Sequence, residues 1–279
     1  MTVVYIAGLS HSGSTLTSRL LNEHSKIAAP GELINLHTVF HEFDEGRGHF
    51  HECLCQSISP WECEFWGNGL LDSIQAISPD VWKICRPDLH PPKSWFKAIT
   101  GFYPSHDGQT FTDMNRKLFN LLREETGKPI IVDSSKFLWR ALPLFRSMGD
   151  DFKVLHLIKT PRNQVGSRVK KRNMSSFLHS AIGKYGRRNF LCKYFFDDGE
   201  RYKKVRFEEL ATDFESTLRS IHKWLGLDYE NPIDGPDSPW HHLGGSNVPL
   251  TKPDIKRIEK DGEYNLTQSF ILKSLERLY

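Results

Sequence analysis

Four short runs of β-branched and other apolar residues punctuate the chain, at positions 3–7, 130–133, 153–158 and 203–207. The first, Val3-Val4-Tyr5-Ile6-Ala7, carries no polar break, which is the pattern of a buried strand. Segments of helical period lie between the runs, at 14–23, 111–125 and 208–225. In the last of them Leu210, Phe214, Leu218, Ile221 and Leu225 recur three or four residues apart, which places them on one helix face. Strands alternating with helices predict an α/β fold, a central parallel sheet with helices on both faces. Residues 36–104 break the alternation and are rich in His, Trp, Cys, Gly and Pro. Lacking a core pattern of their own, they read as an insertion near a ligand site, inside a single domain spanning 1–279. A turn-rich stretch, 231–253, precedes a last helix expected to end near Tyr279.

Composition adds limits. Of 279 residues, 38% are hydrophobic and 25% charged, ordinary for a soluble globular chain. The 18 Phe, 8 Tyr and 7 Trp supply enough apolar bulk to exclude global disorder. No stretch reaches the roughly 18 uninterrupted apolar residues of a membrane span. A net charge of +3 is too mild to argue for nucleic acid and suits an anionic ligand. With a strand beginning at the second residue, no secretory leader is read, and the expected localisation is cytoplasmic. The 5 cysteines, an odd number, imply no disulfide framework in a reducing compartment.

The strongest local signal follows the first strand: Gly8-Leu-Ser-His-Ser-Gly13-Ser14-Thr15. Small residues let the backbone wrap an anion, and the helix that follows aims its unpaired N–H groups and positive dipole end at it. The spacing is that of a Walker A loop in which the lysine is replaced by Ser14. Such a loop cradles phosphate but lacks the cation that handles the β- and γ-phosphates of a nucleoside triphosphate. Neither a nucleophile elbow nor a dinucleotide fingerprint fits the spacing.

These residues resemble the 5′-phosphosulfate loop of sulfotransferases that use 3′-phosphoadenosine 5′-phosphosulfate (PAPS). In that family the loop usually reads Lys/Arg-Ser-Gly-Ser/Thr-Thr. Here it is His11-Ser12-Gly13-Ser14-Thr15, with His11 in place of the cation. The resemblance continues in order along the chain. Lys159-Thr-Pro-Arg162 through Ser167 looks like the 3′-phosphate motif, a cation eight residues before a serine at a strand-to-helix junction. Val205-Arg-Phe207-Glu208-Glu209-Leu210 is similar to the family's Tyr-Glu-Asp-Leu segment, with Phe207 in place of a Tyr that stacks on adenine. The late Gly244-Gly245-Ser246-Asn247 loop resembles the loop covering the donor, which implies that Asn247 and Lys252 meet the 3′-phosphate.

The resemblance also supplies catalytic candidates. Glu32, after Ala28-Ala29-Pro30-Gly31, matches the position of the family's catalytic Glu and is the expected base. Read without the family, it is an acid at a helix start. Lys136, in Asp133-Ser134-Ser135-Lys136 at the end of the second predicted strand, is expected to reach the sulfuryl or bridging oxygens. His11 is the reserve candidate.

Cys53, Cys55 and Cys63, with His49 and His51 nearby, have the ligand types of tetrahedral zinc. The Cys-x-Cys spacing is not the usual knuckle, and similar cysteines recur in some bacterial sulfotransferases. The expectation here is a free-thiol or stapled loop and no metal.

The sequence therefore predicts a P-loop NTPase-like three-layer fold carrying out PAPS-dependent sulfuryl transfer without a metal, to a small-molecule or glycan acceptor. A small-molecule kinase and a non-catalytic nucleotide-binding protein are the alternatives, and Ser14 argues against the kinase. Residues 36–104 and 173–200 are expected to shape the acceptor pocket, with Trp61, Phe65, Trp66, Tyr185 and Phe195 as its aromatics.

Overall fold

The computed structural model describes residues 1–40, 53–55, 59–87, 110–161, 163–164, 177–232 and 240–245. Five strands form one parallel sheet: β1 (Thr2–Gly8), β2 (Ile27–Gly31), β3 (Ile130–Lys136), β4 (Phe152–Ile158) and β5 (Tyr202–Arg206). Their order is β2-β3-β1-β4-β5. Helices α1 (Ser14–Asn22), α2 (Leu36–Phe40), α3 (Leu70–Ile77), α4 (Trp82–Cys85), α5 (Phe111–Thr126), α6 (Leu138–Ser147), α7 (Phe177–Phe196), α8 (Phe207–Thr212) and α9 (Phe214–Trp224) surround it.

The unbroken apolar run in β1 follows from burial on both faces. Val3, Tyr5 and Ala7 point into one core with residues of α3 to α7, while Val4 and Ile6 point into a second with α1, α8 and α9. Residues 59–87, part of the predicted insertion, join the first core. Trp66, Leu70, Leu71, Ile74, Val81, Ile84 and Cys85 pack in the same cluster as β1 and β3.

Two elements depart from the sequence reading. Residues 27–31, where the sequence pattern marks no strand, form the edge strand β2. Pro30 is tolerated because an edge strand leaves one row of donors unused. The single helix predicted over 208–225 is two, α8 and α9, broken at Asp213, whose carboxylate accepts from Ser216 N at 3.1 Å and starts a new helix.

Connections from β1 run to one side of the sheet, toward β2, and those from β4 run to the other, toward β5. The carboxyl ends of β1 and β4 therefore flank the crevice where open α/β sheets bind ligands.

Candidate active site

The glycine-rich loop joins β1 to α1 in that crevice. Gly13 has φ 88°, and a Cβ there would stand 2.2 Å from the ring of Phe207, so only glycine fits between the loop and the first turn of α8. Ser12 N donates to Leu9 O at 3.2 Å and closes the turn. Ser12 Oγ is buried and has no hydrogen-bond partner among the described residues. A buried hydroxyl without a partner, in a loop whose helix presents first-turn amides, fits an anion with several acceptor oxygens. Thr15 and Ser14 are buried in the first turn of α1. His11 is exposed at the loop's tip with φ 69°.

Glu32 and Lys136, 104 residues apart, form an ion pair at the mouth of this loop. Lys136 Nζ also donates to Ser14 Oγ at 3.1 Å. The carboxylate accepts weakly from Asn35 Nδ2 at 3.4 Å. One ammonium thus touches both the candidate base and the loop expected to hold the leaving group.

Neighbouring bonds fix this pair. Asp133, fully buried, accepts from Ser135 N at 3.0 Å and from Ser135 Oγ. Ser135 Oγ accepts from Ile34 N at 2.9 Å, which anchors the 3₁₀ turn Leu33–Asn35 that Glu32 begins. The backbone of Glu32 is held from its other side by the late loop. Glu32 N donates to Leu243 O at 2.9 Å, and Leu243 N donates to Pro30 O at 2.8 Å. Gly31, φ 119°, is required there because a Cβ would lie 2.4 Å from the backbone of Leu243. His242 is fully buried, bonded to Ser134 Oγ at 3.3 Å and Gly244 O at 2.8 Å. Burial holds its imidazole neutral, with a pKa pushed down to about 3. Sequence reasoning missed Asp133, Ser135 and Leu243 as positioning groups. The Asp-Ser-Ser turn at a strand end was the available signal for the first two.

Lys159 follows β4, is buried, and stands with Nζ 4.5 Å above the Phe207 ring. Phe207 itself is only 2% exposed and packs with Val205, Leu210 and Leu157. It is the floor of the phosphate loop and offers no open face, which corrects the expectation that it stacks on adenine. Gln164 Nε2 donates to Ser10 O at 3.2 Å, and Glu208 Oε1 accepts from Thr160 N at 2.8 Å and Asn163 Nδ2 at 3.0 Å. These bonds fasten the segment after β4 to the loop and to α8. Arg162, Ser167, Asn247 and Lys252 lie outside the described residues.

The expected acceptor aromatics separate. Trp66 and Tyr185 are core residues, 0% and 1% exposed, and do not line a pocket. The hydroxyl of Tyr185 donates to Lys159 O at 3.1 Å. Trp61 is exposed, its indole N–H donating to Val39 O at 3.3 Å, and Phe195 packs partly buried on Trp139. Phe65 stacks on His241 with centroids 5.7 Å apart.

The sheet order and the phosphate loop define an α/β protein of P-loop-like fold. The sequence model of the Sulfotransferase family matches residues 4–231, and the chain belongs to that family. The sulfotransferase domain from the Synechococcus PCC 7002 olefin synthase has a similar fold. The two are 18% identical, with 100% of this chain and 94% of that one covered and a TM-score of 0.57. The sulfotransferase domain from the curacin biosynthetic pathway is similar in the same degree: 16% identity, 99% and 96% coverage, TM-score 0.57. Among curated proteins, none matches this chain. No helix among the described residues is long and apolar enough to cross a membrane.

Proposed function

We propose that this sulfotransferase takes its sulfuryl group from PAPS and transfers it to a hydroxyl or amine of a small-molecule or glycan acceptor. The contact that carries this reading is Lys136, bonded at once to Glu32 and to Ser14 of the phosphate loop. Sulfuryl transfer resembles phosphoryl transfer in that the protein chiefly positions the group and stabilises charge on the leaving phosphate. The loop amides and the hydroxyls of Ser12, Ser14 and Thr15 hold the 5′-phosphosulfate, and Lys159 lies toward the 3′-phosphate side. Glu32 takes the proton of the acceptor as its oxygen or nitrogen bonds to sulfur. The bond from sulfur to the bridging oxygen breaks, and adenosine 3′,5′-bisphosphate leaves. Lys136 stabilises the oxygen that gains charge.

The test pairs donor turnover with calorimetry. Sulfated product forms from PAPS without Mg²⁺ across an acceptor screen. Glu32→Gln keeps the size of the side chain but cannot accept the proton, so kcat falls by about 10²–10⁴-fold, the usual scale of general-base catalysis. Binding of the bisphosphate barely changes. Mg²⁺-dependent turnover of ATP in place of PAPS favours a kinase, and turnover within a few-fold of wild type in the Gln variant removes Glu32 as the base.

A further inference from the structure

Outside the active site, one cluster of ligating side chains among the described residues is left unexplained by sulfuryl transfer. Cys53, Cys55, Cys63 and His241 bring one ligand atom each to within 4.8 Å of all the others. Cys63 Sγ is 3.5 Å from Cys55 Sγ, 3.7 Å from Cys53 Sγ and 3.1 Å from His241 Nδ1. Four ligands at zinc-like bond lengths of about 2.0–2.3 Å, arranged tetrahedrally, stand roughly 3.5–3.8 Å apart. The two sulfur–sulfur edges at Cys63 match that frame, and its edge to His241 Nδ1 is somewhat shorter. The odd thiol count speaks against a disulfide, which would satisfy two sulfurs and leave the third beside an imidazole. The sequence expectation of no metal rested on the Cys-x-Cys spacing, and the spacing could not show a fourth ligand 178 residues beyond Cys63.

The surroundings suit a metal. Cys53 and Cys63 are buried, while Cys55 and His241 are partly so. Cys63 Sγ is within reach of both other sulfurs and of the imidazole nitrogen, so one ion placed beside it can meet all four ligand atoms. His241 is turned toward the cluster by Phe65 stacked on its ring. The backbone around the ligands is knitted independently of any ion. Cys53 forms an antiparallel bridge with Leu243, and Leu54 N donates to His242 O at 3.0 Å. Gly67 N donates to Cys63 O at 2.7 Å.

We propose that Cys53, Cys55, Cys63 and His241 form a closed Cys₃His site for one structural zinc ion. All four positions are taken by protein, which leaves no open coordination site for substrate or activated water and separates this ion from the chemistry at Glu32. Its place in the fold gives it a task. It ties the segment at 53–55, the turn at Cys63 before the buried Trp66, and the late loop 240–245 into one knot. That same loop holds the backbone of Pro30 and Glu32.

The test uses the full chain, expressed with zinc in the medium and purified without chelator. Elemental analysis gives about one equivalent of zinc per chain. A mercurial thiol reagent releases that zinc in step with modification of three thiols, read with a chromophoric indicator on wild-type protein, so no variant has to fold. Cobalt exchanged into the same site shows the thiolate charge-transfer and intense visible bands of tetrahedral coordination. Cys55→Ser and His241→Ala each lower the bound zinc to background. Protein that carries no zinc, with all five cysteines titrating as free thiols on unfolding, overturns the site, as does a mass two daltons light from a disulfide within the cluster. Zinc retained in full by both variants also overturns it by locating the ion elsewhere. Metal content is independent of donor choice, so neither outcome bears on PAPS turnover.

Discussion

Among the described residues, Lys136 occupies one of two left-handed backbone positions held by residues other than glycine, at φ 62°, and His11 of the phosphate loop is the other, at φ 69°. A side chain in that region costs about 1–2 kcal/mol, and both residues belong to the candidate site. At Lys136 the turn of the chain directs the ammonium back across the strand ends, onto Glu32 and Ser14. The pair is well shielded, its side chains 14% and 9% exposed. Removing one partner of a shielded pair leaves the other without compensation. Lys136→Met, which keeps length and removes charge, is therefore expected to cost about 3 kcal/mol, the low end for breaking a buried pair. Adding Glu32→Gln to it recovers most of that loss. Urea denaturation of the two single variants and the double variant measures the coupling. A double variant no more stable than Lys136→Met would show that the contact contributes nothing to the fold.

At the scale of elements, the end of β3 is joined to the helices by a second, fully buried ion pair. Arg140 of α6 donates Nε to Asp133 Oδ2 at 3.0 Å, with both side chains 0% exposed. Its remaining donors reach Ile84 O at 2.7 Å, Cys85 O at 2.9 Å and Asn115 Oδ1 at 2.7 Å. One guanidinium thus satisfies the last carbonyls of α4, a side chain of α5 and the carboxylate that braces Ser135. Arg140→Met is expected to destabilise by about 3–5 kcal/mol, because it strands a buried carboxylate and two helix-end carbonyls. Chemical denaturation checks it, and a loss below 1 kcal/mol would mean that water replaces the guanidinium. Local signals for these elements are legible in the sequence. The β-branched runs of β1, β3, β4 and β5 mark the sheet, and α5 is bounded by the Thr110–Asp113 capping box and by Gly127 at φ 65°. The phosphate loop and Lys136 are legible because each follows a run that reads as a strand, whereas Glu32 is legible only through the family resemblance. What the sequence hides is what depends on partners distant along the chain. Ala28-Ala29-Pro30-Gly31 has poor strand propensity, and it is a strand because β3 pairs with it. The aromatic ring of Phe207 reads as a ligand platform until Gly13 is seen lying on it. His241 becomes a candidate ligand only once the late loop runs back beside Cys53.

At the scale of the whole molecule, buried histidines link stability to pH. His156 of β4 is held by Tyr202 of β5 at 2.6 Å and Asn189 of α7 at 3.2 Å, and burial, with Lys204 and Arg188 nearby, pushes its pKa down to about 4. His222 of α9 is pushed down to about 4 by burial and by the facing ring of His24, 4.6 Å away, with Glu230 opposing. Unfolded, each imidazole titrates near 6.5. Between about pH 6.5 and 4 the unfolded chain therefore takes up protons that the folded chain refuses, and stability falls as the solution is acidified through that window. Below it these histidines add no further loss, while the carboxylates of Asp113, Asp198 and Glu230, held below their usual range, begin to give up theirs. His222 isolates the effect, because neither of its ring nitrogens has a hydrogen-bond partner among the described residues. His222→Leu removes the titrating group without orphaning a polar neighbour. The quantity to compare is each protein's own loss of unfolding free energy between pH 7.5 and pH 5, so that any difference in packing cancels. Wild type is expected to lose about 2 kcal/mol more than the variant over that interval. Equal losses would mean that His222 accepts its proton in the folded state, with Glu230 stabilising the charge.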